Sequence, residues 1–272
     1  MSLALIAGEG ALPGLLCARA EAAGDPPLVC VMDGVAARVP AHLPRREFRL
    51  ERLGSFLAGL REDGVGRICM AGAMRRPAVD PAAVDGASAV LVPRLIEAMA
   101  RGDDGTLREI VAIMEEAGLR VVGAEALAPD LLPEAGMLTG GGHDAALEAA
   151  ARVGDQVLAE MGEADSGQAC VVTPGGEVAR EGADGTDAML AALRAPGAVL
   201  FKAPKPGQER RVDLPVIGPE TVAGAAAAGL AAIVIEAGGV LVLEREEVLA
   251  RARAAGIALW VRAAAPGAEG GR

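Results

Sequence analysis

Three carboxylates (Asp184, Asp187, Asp213) and four cations (Lys202, Lys205, Arg210, Arg211) fall between Glu181 and Thr221, about forty residues rich in glycine and proline. Asp184 and Asp187 are three apart at the start of an expected helix and so share one face. They serve there either as a cap and a dipole complement or as acids of a site. Pro204 and Pro206 exclude helix and favour polyproline II, whose three-residue turn would align Lys202 and Lys205 on one edge. Two ammonium groups on one edge suit a phosphate or a diphosphate. Asp213 follows Arg210 and Arg211, and is either half of a surface ion pair, a Mg²⁺ ligand, or a base for water. Magnesium needs only one or two carboxylates when phosphate oxygens complete its shell. Carboxylates and lysines without histidine suit phosphoryl chemistry by charge neutralisation. The chain has only two histidines. His143 has no partners at ligand spacing and is placed near a helix start instead of on a metal.

Composition narrows the classes. The 272 residues are 52% hydrophobic, and they suffice for one large or two modest domains with a real core. Aromatic residues are 1%, with no tyrosine and one tryptophan, which argues against a base-stacking nucleic-acid platform. A formal charge of −11 repels nucleic acid and anionic lipid at long range, so an anionic ligand must be held by a local cation cluster or a divalent metal. Cys17, Cys30, Cys69 and Cys170 form no CxxC pair and are expected as buried thiols in a reducing cytosol. The start of the chain lacks the basic n-region of a signal peptide. The longest apolar run, Val222 to Ile235, is too short to span a bilayer. A soluble or peripheral protein is expected.

These residues need elements to hold them. Ser2–Gly8 is a strand followed by Glu9-Gly10 and a helix, the opening of a nucleotide-binding βα unit in which Gly8 and Gly10 either contact ligand or form a plain tight turn. The third glycine of the dinucleotide fingerprint is missing, and Glu9 would repel phosphate. Pro27–Gly34 and Val65–Gly72 read as further parallel strands. The second is followed by Arg75 and Arg76, which belong either to a solvated loop or to the strand end where open α/β sheets place ligands. Helices are expected at Val90–Ala100 and Thr106–Glu116, the latter capped by Asp104, and a fourth strand at Leu119–Leu127. Residues 1–130 thus form a Rossmann-like domain, and the prolines and glycines of 131–143 form a linker. Residues 144–272 form a mixed α+β domain. Its expected elements are a helix at Asp144–Met161, strands at Gln168–Thr173 and Glu177–Glu181, a helix at Asp184–Arg194 and a strand at Gly197–Phe201. A helix at Pro219–Gly229 follows, then two strands around Gly238-Gly239, a helix at Arg245–Ala255 and a strand at Ile257–Arg262.

Several segments together resemble the LpxI-type UDP-2,3-diacylglucosamine pyrophosphatases of Gram-negative lipid A biosynthesis. They are AGEGALP, GRICMAGAMRRP, EGADGTDAML, FKAPKPGQERRVDLPVIGPETV and AAAAGLAAIVIEAG. The resemblance spans nearly the whole chain, and KPGQ with RVDLPVIGP is its most specific part. It implies an α/β protein of two domains with the active site between them. The implied reaction hydrolyses the diphosphate of UDP-2,3-diacylglucosamine to UMP and 2,3-diacylglucosamine 1-phosphate with Mg²⁺ or another divalent cation. The RxDxP aspartate, the family's key carboxylate, falls on Asp213, and the GTDAM aspartate falls on Asp187. Glu181 keeps an expected acid, while Asp184 stands where glutamate is expected. Lys202 and Lys205 are assigned to the diphosphate, Asp213, Asp187 and Glu181 to the metal, and Gly8, Gly10, Arg75, Thr186 and Gln208 to substrate. The implied partner is a lipid-linked UDP-sugar, met during transient contact with the cytoplasmic face of the inner membrane. The oligomeric state stays open, a homodimer included. A non-catalytic UDP-sugar-binding regulator is the alternative. An NAD-dependent oxidoreductase is disfavoured by the incomplete fingerprint and the lack of tyrosine.

Overall fold

A computed structural model describes residues 2–74, 79–140 and 144–263. Arg75, Arg76 and His143 lie outside the described residues. The chain divides into two compact units, Met1–Pro129 and Asp130–Arg272.

The first unit runs β1 (Ser2–Ala7), α1 (Leu12–Ala22), β2 (Leu28–Met32), β3 (Arg45–Phe48), α2 (Leu53–Glu62) and β4 (Val65–Ala71). It continues with α3 (Gly86–Ala89), α4 (Val92–Ala100), α5 (Asp103–Glu116), β5 (Arg120–Val121) and α6 (Ala124–Leu127). Its sheet is parallel throughout, in the order β3-β2-β1-β4-β5. Leu3 to Ala7 are almost wholly buried, because a central parallel strand is covered on both faces and must be apolar at every position. Arg45 and Glu47 of β3 are charged, as suits a sheet edge. With Arg46 between them these make three successive charges, so β3 contains no apolar run. Of the strand expected over Leu119–Leu127 only Arg120–Val121 pairs. The chain leaves the sheet edge at once and Ala124–Leu127 turns helical. Gly102, at φ +100°, precedes α5, so Asp104 lies inside the first turn and bonds Arg108 instead of capping.

The second unit contains β6 (Gly136–Thr139), α7 (Ala145–Glu163), β7 (Ala169–Val172), β8 (Val178–Arg180), α8 (Gly185–Ala192) and β9 (Val199–Lys202). Then come β10 (Val216–Ile217), α9 (Pro219–Ala228), β11 (Ala232–Glu236), β12 (Leu241–Val242), α10 (Arg245–Ala255) and β13 (Ala258–Arg262). A six-stranded mixed sheet has the order β6-β13-β11-β9-β7-β8, with β9, β11 and β13 parallel and β6, β7 and β8 antiparallel to their neighbours. Part of the stretch expected as a linker is therefore sheet. β6 pairs with β13, and Thr139 accepts from Leu259 N and donates to Ile257 O. The strands flanking Gly238-Gly239 do not pair with each other, since β12 forms a separate two-stranded parallel sheet with β10.

Alternation along the strands sorts the core of this unit into two layers. Val171, Leu200, Ile233, Ile235, Leu259 and Val261 pack with residues of α8, α9 and α10. Cys170, Val172, Val199, Phe201 and Val234 pack against Leu147, Ala151, Val157, Leu158 and Met161 of α7. All four cysteines are free and buried, and burial raises their thiols to about 11 or about 12. Inert structural thiols are the result.

Candidate active site at the carboxyl ends of the parallel strands

β9, β11 and β13 end in Lys202, Glu236 and Arg262, three charged residues closing three apolar runs. Lys202 follows Phe201 and so faces the α8 layer, while Glu236 and Arg262 share the α7 layer. In open α/β sheets this edge is where ligands bind.

Lys202 is 8% exposed and donates to Thr186 Oγ1 at 2.8 Å, and Thr186 donates onward to Glu181 Oε1 at 2.5 Å. The other Glu181 oxygen accepts from Gln168 N. Burial pushes the Lys202 ammonium below the ordinary lysine range, against the opposing pull of the carboxylates of Glu181, Asp187 and Asp213. All three acids therefore lie within electrostatic reach of one buried ammonium.

The KAPKPG loop is held by side chains of its own continuation. Gln208, 6% exposed, accepts from Lys205 N at 2.8 Å and donates to Asp213 O at 2.6 Å and to Asp213 Oδ2 at 2.5 Å. Gln168 Nε2 donates to the same Oδ2 at 2.8 Å. Val212 N and Asp213 N both bond Glu209 O, which tightens the turn between the two ends of this clamp. Two amides aimed at one carboxylate oxygen fix the orientation of Asp213. The Gln208 amide is thus engaged within the loop.

The two lysines do not share an edge. Lys205 is as buried as Lys202, but its ammonium pairs with Asp165 Oδ1 at 2.5 Å, in the turn after α7. β9 pairing carries Lys202 toward α8, and the two prolines carry Lys205 the other way. Asp184 is exposed and makes no side-chain cap, and Asp187 is exposed in the first turn of α8. Arg211 grips Glu209 through Nε and Nη2.

In the first unit the glycine loop is closed by backbone. Gly8 N donates to Ala71 O, Glu9 N to Ala73 O, and Ala73 N back to Glu9 O. A side chain at Gly8 would run into the Gly72 and Ala73 backbone, so glycine is required there by the approach of the chain after β4. Gly10, at φ +98°, has open space around it. The Gly8 and Glu9 amides are therefore committed to structure.

Gln168, Asp165 and Glu236 were not singled out from sequence. The antiparallel pairing of β7 with β9 sets Ala169 opposite Lys202 and brings Gln168 to the site. The one available signal was a polar residue next to an all-apolar run.

Among the described residues no three His, Cys, Asp or Glu side chains are grouped to hold a metal ion. Glu181, Asp187 and Asp213 are thus not a preformed three-carboxylate cage, and both Glu181 oxygens already accept hydrogen bonds. The donor set fits the sparser magnesium arrangement, with one or two carboxylates and the rest of the shell from phosphate. Exposed Asp187 and half-buried Asp213 are the residues of that kind here.

A buried lysine, an amide-clamped aspartate and nearby acids stand at the carboxyl ends of parallel strands of an α/β protein, groups of a kind suited to a phosphate ester or anhydride. Its family follows from comparison. The model described as the LpxI N-terminal domain matches residues 2–131, and that described as the LpxI C-terminal domain matches residues 134–260. The chain is 38% identical over 263 residues to a UDP-2,3-diacylglucosamine pyrophosphatase LpxI of Caulobacter vibrioides, covering 92% of this chain and 93% of that relative. The chain belongs to the LpxI family.

Proposed function

We propose that the chain is a hydrolase that cleaves the diphosphate of UDP-2,3-diacylglucosamine, giving UMP and 2,3-diacylglucosamine 1-phosphate. The observation that carries this reading is the near full-length identity with the Caulobacter relative, whose name states that activity. The Lys202–Thr186–Glu181 chain and the Asp213 clamp supply groups suited to it. In the reaction a water oxygen bonds one phosphorus, the bridging P–O bond breaks, and the water's protons end on the products and solvent. Lys202 binds the diphosphate oxygens and opposes the charge gathering there, in a dry setting where one cation counts for more than it does in water. Thr186 and Glu181 hold that ammonium in place. Gln168 and Gln208 hold Asp213 oriented. A magnesium ion taken by Asp213 with Asp187 would neutralise diphosphate charge. No helix among the described residues is long and apolar enough to cross a membrane. The lipid-linked substrate would be met by transient contact with the cytoplasmic face of the inner membrane.

The test is incubation of purified protein with UDP-2,3-diacylglucosamine, with Mg²⁺ and with EDTA, followed by mass spectrometry. UMP and the sugar 1-phosphate should form with metal only, and ¹⁸O water then marks the phosphorus attacked. Recovery of intact substrate under both conditions would reduce the chain to a binding protein.

A further inference from the structure

Lys202 is not the only cation at this edge. Arg210 lies in the turn closed by the Gln208–Asp213 clamp and reaches back to the end of β11, where Nη2 donates to Glu236 Oε1 at 3.2 Å. Its neighbours are spent in tighter pairs. Lys205 meets Asp165 at 2.5 Å, Arg211 holds both oxygens of Glu209, and Arg262 is forked onto both oxygens of Asp155 while its Cζ lies 5.1 Å from the Phe201 ring centre. Among the described residues Arg210 meets its carboxylate through one N–H alone, and its side chain is 28% exposed. A guanidinium carries five donors in a fork matched to phosphate oxygens.

Glu236 is the anchor. It is 6% exposed and is the register partner of Arg262, and burial raises its carboxyl above the usual range against the opposing charges of Arg210 and Arg262. Gly239 leaves room for it, since a Cβ there would stand 2.8 Å from Glu236 Oε1 and 2.7 Å from Pro204. A buried carboxylate with a single contact to a half-buried arginine fixes one edge of the guanidinium and leaves the other edge for a ligand. Backbone bonds from Val212 and Asp213 to Glu209 O close the turn that carries Arg210.

We propose that Arg210 is a diphosphate-binding residue of this site and that Glu236 positions it. The ligand class is the diphosphate diester of a nucleoside diphosphate sugar. This rests on the hydrolase reading, and the experiment separates the two. Steady-state kinetics on UDP-2,3-diacylglucosamine should show kcat/KM reduced about ten- to a hundredfold in Arg210→Gln, the size expected for one lost charged hydrogen bond. Glu236→Gln should fall between that variant and the wild type, and the double variant should be no worse than Arg210→Gln, because a positioning residue has nothing left to position. Calorimetric binding of inorganic diphosphate should weaken in parallel. Should Arg210→Gln fail to fold, Arg210→Lys carries the test and should retain charge but lose most of the gain from the fork. An Arg210→Gln enzyme within twofold of wild type, or strictly additive losses in the double variant, would overturn the inference. A wild type that binds inorganic diphosphate through Arg210 but leaves the lipid substrate intact would instead sink the hydrolase reading and spare this one.

Discussion

At the scale of single residues, the site is a set of groups whose charge depends on burial and hydrogen bonding. Asp213 is the most constrained, with one oxygen held by two amides. Asp213→Ala should lower kcat about a hundredfold or more while leaving substrate affinity nearly intact, the pattern of a group that acts on the transition state. Unchanged kcat would remove Asp213 from the mechanism. Lys202 carries the pH dependence. Its folded pKa is depressed by burial, so activity needing the ammonium should fall on an alkaline limb below the usual lysine value of about 10.4. Lys202→Arg should shift that limb upward. The same depression means that the unfolded chain binds this proton more tightly than the folded one. Its contribution to stability therefore rises with pH from the folded pKa to the unfolded one. Lys202→Met should flatten that slope in thermal melts, and an unaltered slope would assign it to another group. None of these partners was visible in the spacing of Lys202 and Lys205, because ammonium groups on a stiff loop take their direction from the strand pairing around them.

Elements set those directions. β9 delivers Lys202 to the α8 layer only because Phe201 fills the α7 layer, and Phe201 is fully buried there. Gly154 of α7 makes the fit possible, since a Cβ at that position would overlap the Phe201 ring. Gly154→Ala gains about 1 kcal/mol of intrinsic helix propensity, but overpacking of about 1–3 kcal/mol should outweigh it. A lower melting temperature together with reduced kcat/KM is the expected outcome, and a more stable, fully active variant would contradict this packing. In the first unit, Leu5 lies wholly buried in the central strand, and Leu5→Ala should cost about 2–5 kcal/mol in denaturant titrations. The long helices and apolar strands were legible from periodicity, as with α4, α7, α9 and α10. Short or charged strands were not. β3, β6 and β10 owe their extended form to a neighbouring strand, and residues 136–139 resembled a linker until β13 paired with them.

For the molecule as a whole, each unit has its own sheet and its own buried core. Residues 130–272 expressed alone should show mixed helix and strand ellipticity and one cooperative melt, as expected of a compact unit with its own core. A molten, non-cooperative transition would show that the division is geometric only. The sequence by itself determined the α/β class and the membership that the KPGQ and RVDLP segments signal. Those features are local, or are carried by residue identity and order along the chain. The tertiary structure decided which side chains meet. Gln168 was brought to Asp213 across 45 positions, Glu236 to Arg210 across 26, and Lys205 to Asp165 across 40. It also committed the Gly8 and Glu9 amides to the backbone after β4. Such pairings depend on strand order and register, which are chosen by burying the apolar faces of all the strands at once, and no stretch of sequence taken alone contains that choice.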